Sequence, residues 1–331
     1  MPEEKSFFKK IDITKLGPLV ALAILFVISA FASPYFLQVR NLLNILSQVS
    51  FTGMIALGMT FIIISGGIDL SVGSAVAFSG GVMIIALNGL LQVMSEPLAL
   101  LVGFLVALGV GIGCGALNGL IVTKGRLAPF IATLGTMAIF RSLILFFGNA
   151  GNLTVDFRYT MLKDIGRGRT FGVQNTIWVF LILTIILQFV LNKTRYGRYV
   201  CAVGSNEKVA KFSSIKVDRV RFMTYVITGA TVAFAAFFAA GRMNSISTTQ
   251  VGDQYELDAI AAVVIGGTPM TGGTGIIWGT VVGAIILGMI SNMLNMVGVS
   301  PYLHGTVKGI VIIGAVLVQE IGKRSTSKLS N

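Results

Sequence analysis

The sequence predicts an all-α, polytopic membrane protein of about ten transmembrane helices, including glycine-broken half-helices. Three observations carry that expectation. Only 11% of the 331 residues are charged and 54% are apolar, whereas soluble domains carry roughly 25% charged residues. Mean hydropathy is +0.86, and several apolar runs approach the length of about 20 residues that a spanning helix needs. The 40 glycines suit helices packed in lipid, where small residues let backbones approach closely.

In order, the expected spans are 16–31, 42–64, 73–91, 98–122, 129–147, 176–191, 222–241, 258–269, 276–297 and 302–321. The segment 1–15 is mixed in charge, and the apolar run after it lacks a small-residue cleavage site, so it reads as a retained first span. The chain 1–331 is then one transmembrane domain with a short N-terminal segment (1–15), a large polar loop (193–221) and a tail (322–331). An even number of spans puts both termini on one side.

Basic residues orient the spans, because Lys and Arg concentrate in cytoplasmic loops. With cytoplasmic termini, that side holds Lys5, Lys9, Lys10, Lys15, Lys124, Arg126, the basic residues from Lys193 to Arg221, and Lys323, Arg324 and Lys328. These are seventeen of the 25 Lys and Arg residues. The loop 149–175, with Arg158, Lys163, Arg167 and Arg169, falls outside against the trend. The net charge of +12 is a topology signal by this reading, and no nucleic-acid partner is expected. Spans two to five and seven to ten would run in opposite directions, as inverted repeats do. Each half holds a glycine-broken segment, 65–74 and 265–275.

Enzymatic constellations are not expected. The single histidine, His304, has no carboxylate partner nearby in sequence and reads best as a packing residue. Cys114 lies in a span and Cys201 in a polar loop, so they imply neither a disulfide framework nor a metal site. The glycines from Gly266 to Gly275 are not followed by Lys-Ser/Thr, so they form no phosphate-binding loop. No cofactor is expected in this chain; if ATP drives the protein, another chain must bind it.

Three ionisable residues fall at membrane depth: Asp69, Arg141 and Lys308. A charge at the bilayer centre costs about 3 kcal/mol on insertion scales, so each should face a partner or a wet cavity. Asp69 can also cap the helix starting near Ser71. The run 258–269 covers only about 18 Å as a helix, against a hydrocarbon core of roughly 30 Å. It must continue as irregular backbone at Gly266 and Gly267, lined by protein or water. Asp258 is the expected cap of that half-helix, at the outer surface, which leaves Glu256 free to meet a partner.

The loop 193–221 carries the other signal. Ser205 or Asn206 can cap a short helix, and Glu207 with Lys211 forms a favourable i,i+4 pair. Val209 and Phe212 would share an apolar face that nothing in the chain covers. Docking to a soluble partner needs such a face; a helix lying on the bilayer is the alternative.

Five motifs, SGGIDLSVGS (65–74), KGRLAPFIATLGTM (124–137), TRYGRYVCAVGSNE (194–207), YELDAIAAVVIGGT (255–268) and GVSPYL (298–303), together resemble the permeases of monosaccharide ABC importers, most closely the ribose type. The resemblance implies a multi-pass protein of the bacterial inner membrane, with both termini cytoplasmic. It implies three protein partners: a cytoplasmic ABC ATPase, a periplasmic or extracellular sugar-binding protein, and a second permease copy or paralogue. Arg195, Gly197, Arg198, Gly204, Asn206, Glu207, Val209 and Phe212 would couple to the ATPase. Gln254, Tyr255 and Glu256 would face the binding protein.

A sugar path needs hydroxyls, amides and backbone groups rather than a fixed charge. Its candidate pathway or gate residues are Asp69, Ser71, Ser74, Asn118, Thr133, Thr136, Gly266, Gly267, Asn292, Asn295 and Lys308. The chain departs from the family pattern at Lys208–Val209, at Ser213–Ser214–Ile215, at 247–250 and at His304, positions that bear on partner and sugar identity. Two rivals remain: a self-sufficient carrier or channel with an ion site at Asp69 and Lys308, or the same machine carrying a nucleoside, a furanose-type signal molecule or a branched-chain amino acid.

Overall fold

The structure, a computed structural model, describes residues 13–156, 158–314 and 317. Most of the N-terminal segment, all of the tail 322–331 and the end of the expected tenth span lie outside the described residues. Lipid offers no hydrogen-bond partner to the backbone, so the apolar runs close their own bonds as helices. In order come α1 (Ile13–Ala32), α2 (Val39–Ile64), α3 (Val72–Leu90), α4 (Glu96–Thr123), α5 (Pro129–Phe147), strand β1 (Asn152–Thr154) and α6 (Met161–Arg167). The hairpin strands β2 (Arg169–Thr170) and β3 (Val173–Gln174) lead into α7 (Asn175–Lys193), α8 (Arg195–Ser205), α9 (Glu207–Phe212) and α10 (Val217–Met243). Then follow β4 (Ser245–Ser247), α11 (Tyr255–Ile265), α12 (Ile277–Val297), a 3-10 turn (Pro301–Leu303) and a last helix, α13, described over 304–314.

Among the described residues, seven helices are long and apolar enough to cross a membrane: α2, α3, α4, α5, α7, α10 and α12. The chain is a multi-pass membrane protein. The expected eighth span is the 11-residue α11, a half-helix too short to cross by itself. It begins three residues before Asp258 and stops at Gly266, because the acids extend its first turn and the glycines end it.

α2 is the buried axis, enclosed by α10, α11, α12 and α7. α10 packs most extensively on α4, where a β-carbon on Gly111 or Gly115 would overlap the carbonyls of Gly229 and Tyr225. Small residues thus set the helix separation. α5 and α7 turn Phe130, Ile131, Leu134, Ile182, Ile185 and Phe189 outward, exposed, as lipid-facing residues must be.

β1 pairs antiparallel with β4, Leu153 opposite Ile246. The loop after α5 and the chain leaving α10 therefore share one face, and α8 with α9 lies on the other, beyond α7 and α10. The basic loop 149–175 is accordingly opposite the loop 193–221. After β4 the chain descends along α3, from Ile246 beside Gly80 to Gly252 against Gly73, about 10 Å of helix rise lower. α11 starts from that depth and not from the surface. Gln254 and Asp253 are exposed, whereas Tyr255 and Glu256 are half-buried, so the expected surface position of Glu256 is not found.

Candidate functional site

The two glycine-broken segments meet. α2 ends at Ile64, and Gly66 leaves it at φ +81°, a left-handed turn that only glycine makes without penalty. The link from α11 to α12 turns likewise, with Gly267 at φ +91° and Gly273 at +85°. Gly273 N–H donates to the Ile64 carbonyl at 2.8 Å. One orphan carbonyl of a helix end is thereby satisfied by the other break.

The last turn of α8 sits on both. A β-carbon on Gly204 would overlap the Ile64 carbonyl and come within 2.6 Å of Gly273 N. Ser205 Oγ reaches Gly273 O at 3.4 Å. Arg221, at the start of α10, adds an ionic strut: its guanidinium pairs with Glu207 at 2.8 Å and its Nε approaches Ser65 O at 3.5 Å. Three chain segments far apart in sequence thus share one backbone junction.

Above the first break lies a buried polar network. Asp69 Oδ1 accepts from Ser71 N–H at 2.8 Å and from Ser71 Oγ at 2.7 Å. Asn118 Nδ2 donates to Asp69 Oδ2 at 3.2 Å and to Ser71 Oγ at 2.7 Å, and Thr136 Oγ1 donates to Asn118 Oδ1 at 2.6 Å. Thr133 Oγ1 accepts the Leu70 N–H, Tyr225 Oη donates to Ile68 O, and Ser74 Oγ donates to Ser71 O. Asp69 is 2% exposed and, among the described residues, forms no ion pair with a Lys or Arg. Its carboxyl is instead met by aligned donors from Ser71 and Asn118, as a buried polar group requires.

On the α8–α9 face, Asn206 Oδ1 caps α9 by accepting Val209 N–H at 3.1 Å, and Thr194 caps α8 through Gly197 N–H. Glu207 pairs with Lys211 at 2.6 Å. That hydrogen bond, with Arg221 beside it, holds the Glu207 carboxyl below the usual range. Val200, Val203 and Ala210 are buried and seat the loop on the body. Phe212 is 89% and Val209 57% exposed, an apolar face that none of the described residues covers, and Arg195 and Arg198 of α8 are exposed as well.

A family model described as "Branched-chain amino acid transport system / permease component" matches residues 41–316. The chain is 44% identical over 305 residues to "Ribose import permease protein RbsC" of Bacillus subtilis (strain 168), covering 92% of each chain. It is 38% identical over 320 residues to the protein of that name in Escherichia coli (strain K12), covering 95% of this chain and 96% of the relative. With "L-arabinose transport system permease protein AraH" of Escherichia coli (strain K12) it shares 34% identity over 302 residues, 91% of this chain and 89% of the relative. The chain belongs to the ribose-type ABC permease family.

In this permease a cavity of about 390 Å³ opens towards the β1–β4 side, between α2, α10, α11, α12 and α13. Lys308 lies in its wall, paired with Asp258 at 2.8 Å. The expectation that Asp258 caps α11 is therefore corrected: Gln254 is the cap position, in a left-handed conformation at φ +61°, and Asp258 lies one turn inside. A second cavity, about 590 Å³, opens on the α8–α9 side between Gly66, the α4–α5 link, Glu207 and Arg221. The buried polar network lies beside α2 and α10, apart from both.

Other expected residues find local roles. Arg141 Nη1 donates to Thr248 O at 2.8 Å and Val251 O at 3.0 Å, pinning the descending segment. Asn292 exchanges amide hydrogen bonds with Asn41 of α2, and Asn295 bonds Ser291 O on its own helix. Gly266 packs on Gly279, where a β-carbon would overlap the carbonyl. His304 Nε2 lies 3.3 Å from Val299 O, as a packing residue does. The roles of Ile64, Ser205, Arg221, Tyr225 and Gly273 escaped the sequence reading. Ile64 and Gly273 act through backbone atoms, which carry no residue-type signal, and the hydroxyls of Ser205 and Tyr225 reach backbone carbonyls far away in sequence; Arg221 could have been found as the cation following a capped, acid-led short helix.

Proposed function

We propose that this permease is the membrane-spanning subunit of an ATP-driven importer for a monosaccharide, ribose or a close analogue. Its relatives in the family carry ribose and L-arabinose transport names, and one observation carries the mechanism: Gly204 of α8 rests on Ile64 and Gly273, the two helix breaks at once. The α8–α9 face is the cytoplasmic one, as the basic residues of 193–221 argue. An ABC ATPase subunit, holding ATP and Mg, docks there over Val209 and Phe212. A sugar-binding protein meets the opposite face near Gln254, and a second permease copy or paralogue completes the pathway in the inner membrane.

Motion of the ATPase displaces α8. Because Gly204 lets α8 pack directly on the backbone of both breaks, they move with it, and access alternates between the two faces. The chain itself catalyses nothing and holds no cofactor.

The test is reconstitution of the permease with its ATPase and binding protein in vesicles. Ribose uptake that requires ATP supports the reading. Equal uptake without ATP, or uptake by the permease alone following an imposed ion gradient, ends it.

A further inference from the structure

We propose that the cavity beside Arg242 and Lys308 is a transient binding site for a neutral, monosaccharide-sized polyol. This rests on the importer reading and assigns it a site within the permease itself. The guanidinium of Arg242 lies over the Phe51 ring, 5.4 Å from its centroid. Among the described residues it makes no ion pair and donates no hydrogen bond, yet it is only partly exposed and lines the cavity. Its donors are held in place by the ring and directed to no protein acceptor, a state that suits a ligand oxygen.

The rest of the wall fixes the ligand class. Arg242 and Lys308 are matched by Asp253 and Asp258, so the lining carries no net charge. An anion would meet the two carboxylates and a cation the two basic groups. A polyhydroxylated neutral molecule can donate to the acids and accept from the bases, with Thr52 at hand for a further bond. The Asp258–Lys308 pair is fixed by two contacts of 3.0 and 2.8 Å, which preorganises half of the wall. The volume, about 390 Å³, lies at the low end of the range of about 300–1,000 Å³ for small-molecule sites, which favours a single sugar ring.

The site is tested with the full chain in nanodiscs, by saturation-transfer-difference NMR titration with D-ribose, L-arabinose and D-xylose as probes. At least one sugar binds saturably, and Arg242→Gln weakens it about tenfold, as expected for loss of a charge-assisted hydrogen bond. Thr52→Val, nearly isosteric and on the same wall, weakens it less, and Arg169→Gln on the distant hairpin leaves it unchanged. Saturable binding of none of the three sugars overturns the site, as does binding that Arg242→Gln leaves unaltered. ATP-dependent uptake by the assembled transporter is read in parallel. Uptake with no effect of Arg242→Gln on binding removes the site and leaves the importer; Arg242-dependent binding with ATP-independent uptake keeps the site and removes the importer.

Discussion

The Ile64 carbonyl accepts the Gly273 N–H at 2.8 Å, so the end of one broken helix is tied to the middle of the other break. Neither residue contributes a side chain to that bond. Its consequence is mechanical: the segments 65–71 and 266–276 move together, and Gly204 of α8 rests on the atoms that join them.

The polar network depends on donor and acceptor matching more than on charge. Asp69→Ala strands the Ser71 N–H and an Asn118 donor, each left unpaired at about 1–3 kcal/mol. The exchange Asp69→Asn with Asn118→Asp keeps an acceptor for Ser71 and Thr136 and a donor between the two positions. Its thermal midpoint should lie above that of either single change. An exchange as damaging as the sum of the two single changes would show that the pairing does not hold the break.

Gly266 and Gly267 are glycines for different reasons. Gly266→Val drives a side chain into the Gly279 carbonyl, an overpacking cost of about 1–3 kcal/mol. Gly267 has open space around it apart from Pro18 at 3.8 Å, but its φ of +91° disfavours any L-residue by roughly 1–2 kcal/mol. Gly266→Val should stop uptake in assembled, membrane-inserted protein, and Gly267→Ala should only slow it. Uptake assays showing the reverse order would refute the close-packing account.

Phe212→Asp should leave stability within about 0.5 kcal/mol, as for exposed positions without partners, because the ring is 89% exposed. Co-purification of the ATPase should be lost. Asn206→Ala should weaken docking less, through loss of a helix cap worth about 1 kcal/mol. An unchanged ATPase yield with Phe212→Asp would move the docking surface elsewhere.

Glu207 gives the α8–α9 loop a defined pH response. Lys211, then Arg221, holds its carboxyl below the ordinary value of 4.5. A depressed folded value means that the contribution is complete above 4.5 and is lost as pH falls through the lower, folded value. Thermal midpoints of wild type and Glu207→Gln should differ by a small, salt-screened amount at pH 7 and pH 6 and converge only below pH 4.5. Convergence already at pH 6 would contradict the pairing.

Much of this architecture was legible in the sequence. Apolar length and glycine placement located the long helices; the expected span 129–147 coincides with α5. The Asn206 cap and the Glu207–Lys211 pair were readable because they are local, three and four residues apart. The half-helix was readable as too short to span, but not its start. Asp258 looks like a cap until Lys308, fifty residues on, takes its carboxylate. The junction at Ile64, Gly204 and Gly273 was not legible, since a glycine serving close approach and one serving a turn are identical in sequence. The place of Arg242 was not legible either, because only the fold shows it stacked on Phe51 and lining a cavity.

The central claim is that α8 moves both breaks through Gly204, and Gly204→Val in the reconstituted transporter tests it most directly. The added side chain separates α8 from the Ile64 carbonyl while leaving the Phe212 face in place. The account predicts that the ATPase still docks and hydrolyses ATP while ribose uptake falls to background, with Gly204→Ala intermediate. Wild-type uptake per ATP in Gly204→Val would contradict it.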